Sequence, residues 1–304
     1  SEADNWAIKM TAEAYQNKGK HIITTKIEHH AVLHTTAWLE RKGFEVTYLD
    51  VDEDGLISLD ELEKAIRPDT ILISVMFANN EVGTIEPIYQ IGKIAREKQI
   101  LFHTDAVQAY AQIPLSVNYY PVDLLSASAH KFHGPKGVGF LYIRDGIDIP
   151  SFIHGGSQER GKRAGTENVA GIVGMAKAAE IAYGNMRKRV QKEIMLRNYL
   201  IERVMHEIPD AKLNGHRSIR LPGNVNFSFK GLEGASLLIL LDEDGICASG
   251  GSACNTGEER ISYVIKALGV SEEYAPGTIR LTLCGDTTRA DVDAALVSLK
   301  RNIA

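Results

Sequence analysis

The chain of 304 residues is short of cysteine, with only Cys247, Cys254 and Cys284. Three thiols cannot build a disulfide framework, and their spacing fits no zinc pattern. A reducing, cytoplasmic home is the expectation, and any special cysteine should be reactive rather than structural. Long apolar runs are missing too. The longest strongly apolar one, Leu237–Leu241, is far short of the roughly 18 residues that mark a membrane span. There is no basic excess: 34 Lys and Arg face 39 Asp and Glu, for a net charge of −5. That argues against direct nucleic-acid binding. Ser1-Glu2-Ala3-Asp4 has neither the basic start nor the apolar stretch of a secretory signal. An initiator Met is absent, so a processed, truncated or fragmentary start is expected. Internal repeats and low-complexity segments are absent as well.

What is present is an ordinary enzyme-like mixture, 44% apolar and 24% charged. The length favours one large domain plus a smaller one. Short β-type runs alternate with helical periodicity. The strands are His21–Thr25, Glu45–Leu49, Ile71–Met76, Leu101–Thr104, Leu124–Ser128 and Gly137–Ile143. Helices fall at Ala31–Arg41, Leu59–Ile66 and around Ile88, Ile91, Ile94 and Ala95. This alternation predicts an α/β fold with a mostly parallel sheet. A nearly continuous helix from Val169 to Ile208, broken at Gly184, reads as a spine between two domains. Beyond it an α+β tail is expected: strands at Asn224–Phe229, Ile246–Ser249 and Thr278–Leu283, with helices at Ala235–Leu241, Ile261–Leu268 and from Arg289.

Asp50 to Glu61 matches the calcium-loop template, with acids at positions 1, 3 and 5, Gly55 at 6 and Glu61 at 12. The residues leading in, Phe44–Leu49, are β-type, and an EF-hand needs a helix there. A strand, an Asp-Gly turn and a helix capped by Ser58 explain the same residues.

The most informative stretch is Ser128-Ala129-His130-Lys131-Phe132-His133-Gly134-Pro135. A lysine just past the carboxyl end of a strand, in a turn too tight to be mobile, suits a Schiff-base amine. A solvated surface lysine is the plain alternative. Ser128 and His130 beside it could donate hydrogen bonds to a phosphate. Asp105 ends another buried strand, where a carboxylate is costly unless it meets a cation. A pyridinium nitrogen is such a cation, while a helix cap is the competing reading.

Five ordered motifs then carry a resemblance: Asn79-Asn80-Glu81-Val82-Gly83-Thr84, Asp105-Ala106-Val107-Gln108, Ser128-Ala129-His130-Lys131, Arg163-Ala164-Gly165-Thr166-Glu167-Asn168 and Ser249-Gly250-Gly251-Ser252-Ala253-Cys254. The first three resemble the class V aminotransferase family. The last two narrow it to the cysteine desulfurases, the NifS/IscS-like branch. The resemblance runs through essentially the whole chain and implies a fold-type-I transferase dependent on pyridoxal phosphate. It implies that Lys131 takes the cofactor as a Schiff base and Asp105 pairs its ring nitrogen. Asn80 and Gln108 would hydrogen-bond the ring oxygen, and His29 would stack on the ring. Ser128 and His130 would hold the phosphate, while Thr166 would reach the phosphate of a neighbouring subunit, making the enzyme a homodimer. Arg280 would clamp the substrate carboxylate. Read without the family, His29, His30 and His34 are a polar helix start, with a metal site at His30 and His34 disfavoured.

In the same resemblance Cys254 is the sulfur acceptor. Glycines Gly250, Gly251 and Gly257 bracket it, as a mobile loop over Ser252–Arg260 would require. Cys247 and Cys284 lie in strand-like sequence and are expected to be buried and inert. The implied reaction converts L-cysteine to L-alanine and leaves a persulfide on Cys254. The sulfur would pass on to an acceptor or iron–sulfur scaffold protein. Residues 1–185 would form the cofactor-binding domain and 186–304 the small domain carrying the Cys loop. The family's opening strand and Gly-Gly-Thr phosphate loop are not in this sequence, and Ser1–Asn5 resembles the tail of that loop. The Gly-Arg pair usual after the Arg280 strand is also replaced, by Leu283-Cys284-Gly285-Asp286. Rival readings are a selenocysteine lyase or β-eliminating enzyme, an aminotransferase, and a truncated, non-catalytic scaffold-binding paralogue.

Overall fold

A computed structural model describes residues 1–251 and 261–303. The chain divides into two compact units. Unit 1 comprises residues 1–50, 57–78 and 86–184, and unit 2 residues 51–56, 79–85 and 185–304.

In unit 1, helix α1 (Glu2–Tyr15) comes first, followed by β1 (His21–Thr25), α2 (His30–Glu40), β2 (Glu45–Leu49) and α3 (Leu59–Ala65). Then come β3 (Thr70–Ser74), α4 (Ile88–Glu97), β4 (Leu101–Asp105), β5 (Leu124–Ser128), β6 (Gly139–Ile143) and α5 (Val169–Gly184). The sheet order is β2-β1-β3-β4-β5-β6. All pairings are parallel except β5 with β6. Every residue of β1 and β3 is buried, as expected for strands covered on both faces. Helix α1 has no counterpart in the sequence reading, which treated Ser1–Asn5 as the tail of a loop. Its Trp6, Ala7, Ile8 and Ala12 are buried, and Ile8 and Ala12 pack with Ile22, Val32, Leu39, Ile71 and Leu72.

Unit 2 contains α6 (Met186–Glu207), β7 (Ala211–Leu213), β8 (Asn224–Phe229), α7 (Gly234–Glu243), α8 (Tyr263–Ala267), β9 (Thr278–Thr282) and α9 (Arg289–Ile303). Its antiparallel sheet runs β7-β8-β9. Phe227, Phe229, Leu237, Leu241, Ile279, Leu296 and Leu299 form its core with Leu196, Leu200 and Val204 of α6. Each such side chain contributes about 1.5–3 kcal/mol when withdrawn from water. Among the described residues, no helix is long and apolar enough to cross a membrane.

Two expectations need correction. Ile246–Ser249 is not a strand; only Ser249 pairs, in an isolated bridge to Arg280. Cys247 and Cys284 are not buried but exposed. Each sits just beyond a regular element, Cys247 after the turn that ends α7 and Cys284 after β9, where the backbone leaves the core.

The calcium-like segment has other employment. The Asp52 carboxylate accepts from the Asp54 and Leu56 amides at 3.0 and 2.9 Å, and Gly55 takes φ +81°. Ser58 caps α3 by accepting from the Glu61 amide at 3.3 Å. Asp52 thus closes a turn, and removing its carboxylate should cost about 1 kcal/mol. We expect Asp52→Ala to lower the urea midpoint accordingly, and calorimetry of the parent to show no stoichiometric calcium heat. A calcium heat lost in the variant would restore the calcium reading.

Candidate active site

In unit 1, β5 ends at Ser128 and the chain turns through one short 3₁₀ helix, Ala129–Phe132. The Ala129 amide donates to the Val138 carbonyl at 3.0 Å, and the Gly134 amide returns to the Ala129 carbonyl at 2.9 Å. Gln112 Nε2 donates to the Lys131 carbonyl at 2.7 Å. His133 adopts a left-handed conformation with φ 65°. Gly134 has no room for a side chain, since a Cβ there would stand 2.8 Å from the Ala129 Cβ. Phe132 is buried beside Ala129 and Ala111, with Met175, Ala178 and Ala182 of α5 packed against it. The backbone of Lys131 is therefore fixed while its side chain stays exposed.

Ser128 Oγ lies 2.8 Å from His130 Nδ1. Burial and the charge of Lys131 lower the His130 pKa, favouring the neutral ring. Together they place hydroxyl and imidazole groups next to the lysine, a donor set suited to a phosphate.

Asp105 closes β4, the strand beside β5, with Asp105 opposite Ser126. One carboxylate oxygen accepts from the Val107 amide at 2.9 Å. Burial, aided by the charge of Asp4, pushes the Asp105 pKa up to about 8. Below it lies a polar layer that the sequence reading missed. Fully buried His103 has Nδ1 2.8 Å from Ser74 Oγ and Nε2 3.0 Å from Ser126 Oγ. Burial lowers its pKa to about 4, so it is neutral. The buried Asp4 carboxylate is 3.7 Å from the same Nε2. Glu28, also overlooked, accepts from Thr25 Oγ1 and the Met76 amide at 2.9 and 2.8 Å. Burial raises its pKa well above the usual value. A helical or strand-like period marks these positions only as inward-facing, so no local signal singled them out.

His29 caps α2, its Nδ1 accepting from the Ala31 amide at 3.1 Å. Burial lowers its pKa, so the ring is a neutral imidazole carrying its proton on Nε2. Gln108 is half-buried in the turn after β4, and Thr166 is exposed. Near Thr166, the Gly165 amide donates to Gln158 Oε1 at 3.1 Å, and Arg163 pairs with Glu2 at 2.9 Å.

In unit 2, Asn80 sits in the Asn79–Ile85 segment and Arg280 at mid-β9. Arg280 Nη1 donates to the Asn80 carbonyl at 2.5 Å, so these two predicted residues meet. The Asn80 side-chain oxygen is buried and makes no hydrogen bond with the described residues. The segment is anchored by Arg220, whose Nη2 donates to the Val82 carbonyl at 2.7 Å. Gly83, at φ +80°, allows Asn224 to approach, because a Cβ would stand 2.6 Å from its Oδ1. Cys254 lies outside the described residues. Among the described residues, no group of three or more His, Cys, Asp or Glu could hold a metal ion.

The donor sets fit pyridoxal phosphate. A protonated pyridine nitrogen would set a cation against Asp105, a carboxylate that burial otherwise keeps protonated.

Comparison with known proteins leads to the same family. The sequence profile described as aminotransferase class-V matches residues 1–295. A Clostridium botulinum protein named cysteine desulfurase IscS is 55% identical over 100% of this chain and 77% of its own length. The Methanosarcina thermophila protein of that name is 56% identical over 97% of this chain and 73% of its own. Among solved structures, a NifS-like protein superposes with a TM-score of 0.91 at 43% identity, covering 99% of this chain and 79% of the other. DndA from Streptomyces lividans superposes with a TM-score of 0.82 at 31% identity, covering 93% and 80%. The chain belongs to the aminotransferase class-V family and, within it, to the cysteine desulfurases, enzymes that depend on pyridoxal phosphate.

Proposed function

We propose that this chain takes sulfur from L-cysteine, releasing L-alanine and leaving a persulfide on Cys254. The observation that carries this reading is Asp105, a carboxylate out of water beside the strand that leads to Lys131. Lys131 Nζ would carry the cofactor covalently and then serve as the base that takes the substrate's α-proton. Asp105 would keep the ring nitrogen protonated. Ser128 and His130 would bind the phosphate, and Asn80 and Gln108 the ring oxygen. His29, a neutral imidazole, would lie on the ring face. Arg280, a planar two-pronged cation, would hold the substrate carboxylate. Pyridoxal phosphate, when bound, supplies an electron sink for the charge left at the substrate's α-carbon.

The Cys254 thiolate would attack the substrate sulfur. The carbon–sulfur bond breaks with its electron pair staying on carbon, and protonation there gives alanine. The new sulfur–sulfur bond is the persulfide. Residues 1–185 would then be the cofactor-binding domain and 186–304 the small domain that carries the sulfur acceptor. Exposed Thr166 suits a reach into a second subunit. Val169, Val173 and Ile181 of α5, exposed at 65%, 62% and 56%, suit burial in a homodimer. Exposed thiols at Cys247 and Cys284 suit a reducing cytoplasm. The persulfide would be handed to an acceptor or iron–sulfur scaffold protein.

Three outcomes follow. Lys131→Ala should lose covalent attachment of the cofactor, read by absorbance and by borohydride trapping. Full attachment and turnover in that variant would transfer the role to another lysine, with Lys136 next. Cys254→Ser should bind cofactor and L-cysteine but release essentially no sulfide. Cys247→Ser and Cys284→Ser should retain turnover, with stability changed by no more than about 0.5 kcal/mol, as at exposed positions. A persulfide found by mass spectrometry only on another cysteine would refute this mechanism.

The third outcome concerns pH. The Asp105 pKa in the folded chain, about 8, lies above its ordinary 3.8. Between those values the cofactor-free folded protein holds a proton that the unfolded chain has released, so stability falls as pH rises. Glu28, raised by burial, acts with the same sign. Asp105→Asn should therefore flatten the fall relative to the parent, measured as urea midpoints of cofactor-free protein across that window. An unchanged slope would show that Asp105 does not titrate there.

A further inference from the structure

Strand β7 ends the antiparallel sheet of unit 2, with β8 on one side and, among the described residues, no strand on the other. Its pairing fixes which way the backbone points. Just outside its two ends, the Lys230 amide donates to the Asp210 carbonyl at 3.2 Å and the Asn214 amide to the Asn226 carbonyl at 2.9 Å. Antiparallel pairing alternates from residue to residue, so Asp210, Lys212 and Asn214 turn their backbone groups toward β8. Ala211 and Leu213 turn theirs outward, where no described residue bonds them.

Leu213 lines an open groove of about 690 Å³ whose other wall is the last part of α6. Glu202, Met205 and His206 line that wall. Their spacing of i, i+3 and i+4 places them on one stripe of the helix. Met205 is 45% exposed. Lys212 lies on the opposite face of the strand from Leu213, so its charge does not guard the groove.

Charge along the groove is uneven. Arg203 is already held by Glu207. Arg217, also in the lining, is exposed and forms no ion pair with a described residue. Two more guanidinium groups stand near it. Arg197 donates to the Arg220 and Leu221 carbonyls, each at 3.1 Å, and Arg220 to the Val82 carbonyl. Burial and then the charge of Arg217 lower the Arg197 pKa to about 10. Burial, with Arg197 and Arg217, brings Arg220 to about 9, and only Asp54 acts against that. Three guanidinium groups answered by one carboxylate favour an anion at Arg217.

Outward backbone groups call for a partner's backbone, and an open groove cannot enclose a small molecule as a ligand pocket does. Strand addition meets both conditions, with alternate side chains of the added strand entering the groove. We propose that the β7 edge docks an extended segment of a partner protein, with an apolar side chain on Met205 and Leu213 and an acidic one on Arg217. Glu202 repels an acid placed opposite it and so selects the register. The inference is independent of the role of Cys254.

The test uses the cofactor-loaded chain and short, labelled, end-capped peptides of threonine with one leucine, in which a single glutamate is moved from position to position. Binding is read by fluorescence anisotropy. At least one register should bind saturably, and its lysine-for-glutamate counterpart about 10-fold more weakly. Arg217→Glu should reverse that preference, an effect that lost structure alone would not produce. Met205→Asp should weaken binding by about 5- to 10-fold. Methylating the peptide nitrogens that face β7 should abolish binding, while methylating the alternate set should leave it within about threefold. Cofactor absorbance should stay parental in both variants, showing that they fold.

Absence of saturable binding in every register overturns the proposal. So does binding that Arg217→Glu, Met205→Asp and nitrogen methylation all leave unchanged, since it lies elsewhere. Equal binding by end-capped glutamate alone would reduce the groove to an anion site and remove the strand addition. Self-association of the chain that Arg217→Glu dissolves, with no peptide bound, would give the edge to a second copy and overturn the partner reading.

Discussion

A carboxylate withdrawn from water sets the terms for unit 1. Asp105 ends β4 with one amide hydrogen bond, and its pKa is pushed to about 8 by that withdrawal. Nature rarely leaves such a group in a sheet without a cation to meet it. The polar layer beneath fits this. His103 is neutral and spends both ring nitrogens on serine hydroxyls, so it brings no compensating charge. Asp4 adds a second buried negative group and makes ionisation of Asp105 harder still. In the proposed reading a protonated ring nitrogen would resolve this conflict, and the sheet order brings the ends of the two strands to one edge. Strands β4 and β5 are parallel neighbours, so their carboxyl ends, bearing Asp105 and leading to Lys131, emerge on one edge.

Rigidity and exposure are divided with purpose at Lys131. Its carbonyl is fixed by Gln112, its turn closes on itself, and Phe132 is buried under α5. The amine stays at the surface of the chain. A fixed backbone under an exposed side chain suits a group that must hold a ligand, release it and then move a proton, because little reorganisation accompanies each step.

Unit 2 solves a different problem, the burial of irregular backbone. Residues 79–85 form no strand or helix, and their carbonyls need donors. Asn224, Asn226, Arg220 and Arg280 supply them. Arg220 is nearly fully buried, and its pKa falls to about 9 through that burial. Polar side chains on β8, on β9 and just before β8 thus take the place of ladder hydrogen bonds, holding Asn80 and Glu81 at defined points.

Much of the fold was legible locally. Runs such as Leu124–Ser128 and Asn224–Phe229 have the boundaries that their apolar and β-branched content implies, and the break between α5 and α6 falls beside Gly184. The placement of Lys131 just after one strand and of Asp105 at the end of another was readable, because apolar and β-branched runs lead into both. Other features had no local signal. Helix α1 was passed over, although Trp6, Ala7 and Ile8 become core once β3 and β5 lie against them. Cys247 and Cys284 looked like strand residues, yet their exposure depends on where the sheet stops, which no window of sequence encodes. His103, Asp4 and Glu28 gain meaning only from partners far along the chain, such as Ser74 for His103 and Met76 for Glu28. The sequence determined which residues could do chemistry, because side-chain type and strand position are local properties. Only the tertiary structure decided which of them lose water and which meet, because desolvation and proximity belong to the folded chain as a whole.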